Sequence, residues 1–295
     1  MPRIGLALGG GGARGIAHFG VLRVLEQKKI PIDMIAGTSM GAIVGAMYAQ
    51  NPDAADAAER FRDFLKNVDY EALGLQYIVP EEEEPALLQR FARTIARRIY
   101  YSSMGSRSSI LKPRVLRKAL SRLLEKGSVQ DARIPFCAVA ADLNTGKALR
   151  IREGNMRKAV LRSALIPGYL PPESDGPRLI TDGGVIEPIP VDSALAMGAD
   201  VVIAVSVDPS GMAPMEEASM ISIMRRCDLI RGMYIAREQA SKADVAIHPD
   251  LETYHWSEFL EFDKFLEAGA RETENRIGDI RKAIRKKHWF WRFIP

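Results

Sequence analysis

The sequence is poor in the residues from which metal sites and covalent cross-links are built. Only two cysteines, Cys137 and Cys227, occur in 295 residues. That excludes a disulfide framework and a thiolate metal cluster, and both read as small buried or half-buried side chains in a reducing compartment. The four histidines (His18, His248, His255, His288) lie far apart, and none falls in an HExxH or comparable ligand spacing. No bound metal is expected. Long apolar runs are missing too. None approaches the ~20 residues that span a bilayer, and Ile4–Leu8 is too short for a signal sequence and runs straight into glycines. The expected place is the cytoplasm, with any membrane contact peripheral, on the inner face. Internal repeats and low-complexity linkers are also lacking.

What is present is an ordinary globular composition, 47% hydrophobic and 26% charged, with an uneven charge pattern. The net charge is only +4. Yet Ala86 to Lys126 holds eleven basic residues against Glu125 alone, just after the acidic run Glu81–Glu84, and a second basic cluster spans Arg281 to Arg292. Such asymmetry points to an anionic partner, a phospholipid surface or nucleic acid. Nucleic acid is disfavoured, because aromatics do not interleave with the basics as stacking platforms. Leu87, Phe91, Ile95 and Ile99 recur at about i, i+4 among arginines in Ala86–Tyr101, as in a helix lying on anionic lipid. The tail His288–Ile294 sets interfacial aromatics behind Lys286 and Lys287. The competing reading packs both segments on the protein itself or on a partner subunit.

Short apolar runs alternate with helical periodicity. Strands are predicted at Ile4–Leu8, Met34–Ala36, Phe136–Ala141, Ala148–Arg152, Leu179–Thr181, Val201–Val207 and Val245–Ile247. Helices are predicted at Ala13–Gln27, Ala42–Gln50, Asp53–Lys66, Val191–Met197, about Met215–Lys242 and Asp263–Lys287. This alternation argues for an α/β fold whose mostly parallel sheet is covered on both faces. The rhythm breaks at about 70–110, which reads as a basic helical insertion or lid on one domain over residues 1–295, closed by a basic-aromatic tail at 284–295.

Three pieces carry chemistry. Gly37-Thr38-Ser39-Met40-Gly41 is a GxSxG between a strand and a helix, where a sharp elbow lifts a serine hydroxyl clear of the sheet. Gly37 and Gly41 let that elbow turn, and the helix N-terminus behind it favours an oxyanion. Gly9–Gly12 with Ala13, Arg14 and Gly15 is a glycine loop whose exposed amides can form an anion nest. Gly10, Gly11 and Gly12 would hold a tetrahedral oxyanion, with Arg14 adding charge or bracing the loop. The same letters fit a dinucleotide fingerprint, but that needs an acidic residue at the end of the second strand. Asp33 stands before that strand and Ser39 occupies its far end, so the nucleotide reading loses. A purely structural glycine turn stays open. Asp182-Gly183-Gly184 ends a strand, and its glycines let the carboxylate approach another backbone; by itself it is equally a capped turn. Together the pieces imply that Asp182 takes the Ser39 proton as the hydroxyl attacks an ester carbonyl. An order Ser39, Asp182, then His248 or His255 also matches a conventional hydrolase triad, while His18 reads as a packing or orienting residue.

These motifs, with Ala140–Gly146 and Ser163–Pro172, resemble those of bacterial patatin-like phospholipases along nearly the whole chain. The resemblance implies a three-layer α/β/α fold and a Ser39–Asp182 dyad without histidine. It further implies an oxyanion loop of Gly10, Gly11, Gly12 and Arg14, no cofactor, and phospholipid, lysophospholipid or other acyl-ester substrates. Two departures are visible. Glu187 stands where the family often has Asn, and Ser163-Ala164-Leu165-Ile166-Pro167 is a loose form of the usual Ser-x-Ala-x-Pro. A non-catalytic lipid-binding or regulatory protein that keeps the fold is the alternative.

Overall fold

In a computed structural model of the chain, the residues described are 1–67 and 111–291, apart from 210, 213, 216, 217, 252 and 253. The Ala86–Tyr101 helix, the whole of the expected insertion at about 70–110 and the last four residues of the tail fall outside them.

Eight strands form one sheet: β1 (Ile4–Leu8), β2 (Met34–Thr38), β3 (Phe136–Asp142), β4 (Lys147–Ile151), β5 (Glu173–Asp175), β6 (Arg178–Asp182), β7 (Val201–Val205) and β8 (Val245–Ile247). The helices are α1 (Ala17–Gln27), α2 (Met40–Gln50), α3 (Ala54–Lys66), α4 (Pro113–Leu123), α5 (Met156–Ser163), α6 (Val191–Ala196), α7 (Met220–Ser241) and α8 (Phe262–Trp291), with a 3-10 turn at Gly12–Ile16 leading into α1. Local chemistry fixes several starts. The Asp53 carboxylate accepts from Asp56 N at 2.9 Å to open α3, Asn155 caps α5 at Lys158 N (2.9 Å), and Pro113 sits in the first turn of α4.

Period-two alternation sorts each buried strand between two layers. Ile4, Leu6, Leu8, Ile35, Val201, Ile203 and Val205 pack with α1, α2, α3 and α8 in the larger core. Ala7, Ala36, Cys137, Val139, Val202 and Ala204 face the other way, onto α6 and α7. Small residues on that face let the second helical layer come close. The result is the α/β/α sandwich that the alternation implied.

The sheet is less uniformly parallel than expected. β3, β2, β1, β7 and β8 run parallel, whereas β4 and β6 are antiparallel to β3, and β5 to β6. The registers carry a consequence for the site. Ala138 and Val139 pair with both β2 and β4, and Ala140 to Asp142 pair with both β4 and β6. A residue has only two ladder edges, so β2 and β6 must share one edge of β3, end to end. Thr38 lies opposite Val139 and Asp182 opposite Ala140. The C-terminal ends of two strands running in opposite directions thus meet at one point.

Candidate active site

Ser39 stands at that junction, the first residue past β2. Its backbone is at φ 53° and ψ −119°, a region that costs a non-glycine residue of order 1–3 kcal/mol and persists only where surroundings enforce it. Two contacts enforce it. The Ser163 hydroxyl accepts from Ser39 N at 3.0 Å and itself donates to Val139 O at 2.5 Å, bridging the elbow to β3. Thr38 Oγ1 donates to Glu187 O at 2.7 Å, pinning the end of β2 to the loop that follows Asp182. Gly41 lies so close to β1 that a Cβ there would fall 2.1 Å from Leu8 O, so only glycine lets α2 start at this depth.

Asp182 enters from the opposite side and is 5% exposed. Its Oδ1 accepts from Gly184 N at 2.7 Å. A Cβ on Gly183 would sit 2.2 Å from Val139 O, so glycine lets the turn after Asp182 lie against β3. Burial pushes the carboxyl up to about 6, against the opposing pull of the Gly184 amide and the Ser39 hydroxyl. The Ser39 contact is a loose one: it is near enough to be felt, yet Oδ2 has no hydrogen bond of ordinary length and angle. Such bonds commonly tighten only with substrate in place.

The glycine loop is suspended from its neighbours. Gly9 N donates to Val205 O (3.0 Å), Gly10 N to Pro188 O (3.0 Å) and Ala13 N to Trp256 O (2.7 Å). His18 Nε2 lies 2.8 Å from Gly9 O and, facing a carbonyl, must carry the proton. Burial depresses this imidazole to about 4, so it is neutral and orienting, as expected of His18. The loop passes beside the serine, since a Cβ on Gly10 would lie 3.2 Å from Ser39 Cβ. One expectation needs correcting: the Gly10 amide is already engaged by Pro188 and is not an open donor. Gly11 N and Gly12 N make no hydrogen bond among the described residues, and neither does Met40 N at the start of α2. Arg14 braces the loop. Its Nε donates to Gly11 O at 3.4 Å, and burial lowers its pKa against the attraction of Asp208 and Glu258.

Neither late histidine joins this constellation. His248 is exposed, and His255 Nδ1 lies 2.6 Å from Ser257 Oγ; no hydrogen bond links either to Ser39 or Asp182. Cys137 is buried in β3 with its thiol pushed up to about 11 by burial, whereas Cys227 is exposed, contrary to its expected burial. No group of three or more metal-ligating side chains occurs among the described residues. A cavity of about 170 Å³ leads away from Ser39, walled by apolar side chains including Ile43, Phe61, Leu65, Leu116, Leu120 and Trp256.

Comparison with known proteins gives the family. The family model for patatin-like phospholipase matches residues 6–195. The chain belongs to that family. An uncharacterized NTE family protein of Mycobacterium tuberculosis is 33% identical over 217 residues, which cover 74% of this chain and 52% of that protein. Patatin-like phospholipase domain-containing protein 6 of Homo sapiens is 33% identical over 208 residues, 69% of this chain and 13% of its own. Lysophospholipase NTE1 of Mycosarcoma maydis is 31% identical over 204 residues, 69% and 10% respectively. The chain therefore spans about half the length of the mycobacterial relative and a small part of the other two. Human GIVD cytosolic phospholipase A2 superposes with a TM-score of 0.49 at 13% identity, over 97% of this chain and 59% of that one. Within this patatin-like chain, Ser163 and the Pro188 carbonyl are groups around Ser39 and the glycine loop that sequence reasoning missed, whereas the Met40 amide belongs to the helix N-terminus expected there. Ser163 could have been found from the Ser163–Pro167 stretch; the Pro188 carbonyl is a backbone group with no side-chain signal.

Proposed function

We propose that residues 1–295 act as one patatin-like catalytic unit, a serine acyl hydrolase that cleaves phospholipid, lysophospholipid or related acyl esters through Ser39 and Asp182. The observation that carries this is the junction of β2 and β6. A strained serine and a buried carboxyl, raised to about 6, meet at the mouth of an apolar cavity. A carboxylate with that pKa is a better base near neutrality than an ordinary one at ~3.9. Asp182 takes the hydroxyl proton as Ser39 Oγ bonds to the ester carbonyl carbon. The Gly11 and Gly12 amides, with Met40 N, are the donors available to the oxyanion, and removing one such donor typically costs about 10²–10³ in rate. The proton passes to the leaving alcohol, and water reverses the sequence to free the acid. The cavity suits the acyl chain. Working from the cytoplasm, the protein meets its lipid peripherally at an anionic membrane face. No helix among the described residues is long and apolar enough to cross one.

Turnover of nitrophenyl acyl esters and a lysophospholipid, followed by mass spectrometry of the released acid, tests the reading. Ser39→Ala and Asp182→Asn should each lose nearly all activity, while His248→Ala and His255→Ala keep most of it. A lipid-binding protein that merely retains the fold would bind these esters without turning them over.

A further inference from the structure

Eight of the thirteen exposed large hydrophobic side chains among the described residues are close together in the chain, while Met1, Leu143, Val185, Leu195 and Leu260 lie apart. Met212, Met215, Met220, Ile223, Met224, Leu229, Ile230 and Tyr234 all lie in α7 and the segment leading to it. The two halves of α7 differ. Met233, Ala236 and Gln239 are buried against the body, but no described side chain between Met220 and Arg231 is buried. The first three turns are largely exposed. Spacing sets Met220, Ile223, Met224, Cys227, Ile230 and Tyr234 on one stripe, opposite the face that Met233 and Ala236 bury. Apolar side chains on both faces of one helix mean that the outer face has work the fold does not supply.

Position ties this stripe to the site. The α7 segment follows β7, whose last residue holds Gly9 of the glycine loop. Arg225 Nη2 donates to Tyr169 Oη at 2.9 Å, and the Tyr169 ring lines the cavity beside Ser39. Arg225 turns away from the stripe toward Tyr169, so the charged residues beside it are Arg226 and Arg231 with Asp228, which pairs with Arg231 at 3.2 Å. We infer that the exposed N-terminal half of α7 is a docking surface for an anionic lipid bilayer, with the stripe entering the headgroup boundary and Arg226 and Arg231 at its edges meeting lipid phosphates. A second copy of the chain fits less well. Across a twofold contact its flanking arginines would meet their own copies, whereas lipid phosphates neutralise them. The inference rests on the proposed lipid hydrolysis and adds what brings the site to its substrate.

Binding is tested apart from turnover in the full chain carrying Ser39→Ala, by cosedimentation with vesicles of phosphatidylcholine alone or with one third phosphatidylglycerol. The protein should pellet with the anionic vesicles. Ile223→Glu combined with Ile230→Glu should raise the lipid concentration for half-binding tenfold or more. With Ser39 intact, the same pair should hydrolyse water-soluble nitrophenyl butyrate at the parent rate. Should the new charges disturb the helix, Met224→Ser with Ile230→Ser must weaken binding in the same direction. Equal binding by these variants, or none by the parent, overturns the surface. So does a dimer in sedimentation that the double variant splits, since the stripe is then an interface between copies. Vesicle binding as expected with no ester turnover in the Ser39 protein would sink the hydrolase reading and leave the docking surface standing.

Discussion

Asp182 concentrates the physics at the scale of single residues. A carboxyl that titrates at about 6 when folded and at ~3.9 when unfolded binds more protons in the native state across that window. Stability therefore falls as pH rises from about 4 to about 6, and the loss persists above, on the order of 2–3 kcal/mol by linkage. Asp182→Asn removes that burden while its Oδ1 can still accept from Gly184. It should melt higher than the parent at pH 8, with the gap closing toward pH 4, although it is inactive. A variant that melts lower at pH 8 would mean that the ionised carboxylate stabilises the fold. Activity should follow the same group: kcat/KM for a soluble ester should fall about tenfold per unit below an apparent pKa near 6. His18, depressed to about 4, adds no limb in that range. Serine and aspartate were both legible from their glycine neighbours. The burial that raises the Asp182 carboxyl was not, because desolvation is set by side chains remote in sequence.

Elements explain why the two residues meet. A helix-strand alternation is written in periodicity, and β1, β2, β7, β8, α1, α2 and α3 lie where Ile4–Leu8, Met34–Ala36, Val201–Val207 and their helical neighbours put them, within a few residues. The antiparallel entry of β6 was not legible, since Leu179–Thr181 reads as a strand without a direction. Two helices were missed. In α4 and α5 the apolar positions, Leu116, Leu120 and Leu123 or Met156, Val160 and Leu161, are few and set among arginines and lysines. Yet α4 forms one wall of the cavity, through Val115, Leu116, Ala119 and Leu120. If that wall holds the acyl chain, Ala119→Phe should fill the slot. Turnover of long-chain nitrophenyl esters should drop tenfold or more, while short-chain esters lose less than threefold. An equal loss across chain lengths would move the acyl chain elsewhere.

On the scale of the whole molecule, the three pieces run from residue 9 to residue 184, with Ser39 and Asp182 143 positions apart, and come together because one sheet gathers them. Strand β1 delivers the glycine loop, β2 the serine and β6 the carboxylate, and Ser163, Thr38 and Pro188 lock the three loops to one another. The family match over residues 6–195 contains all of them, whereas α7 and α8 lie beyond it. The matched span holds the groups proposed to act on the ester, and the proposed docking surface lies outside it. The central claim is that Ser39 is the nucleophile. An alkyl fluorophosphonate, followed by intact-mass measurement and peptide mapping, reads it directly. One adduct on the Ser39 peptide, absent from Ser39→Ala and formed far more slowly in Asp182→Asn, is the predicted result. No adduct, or one that maps to another residue and survives in Ser39→Ala, would contradict it.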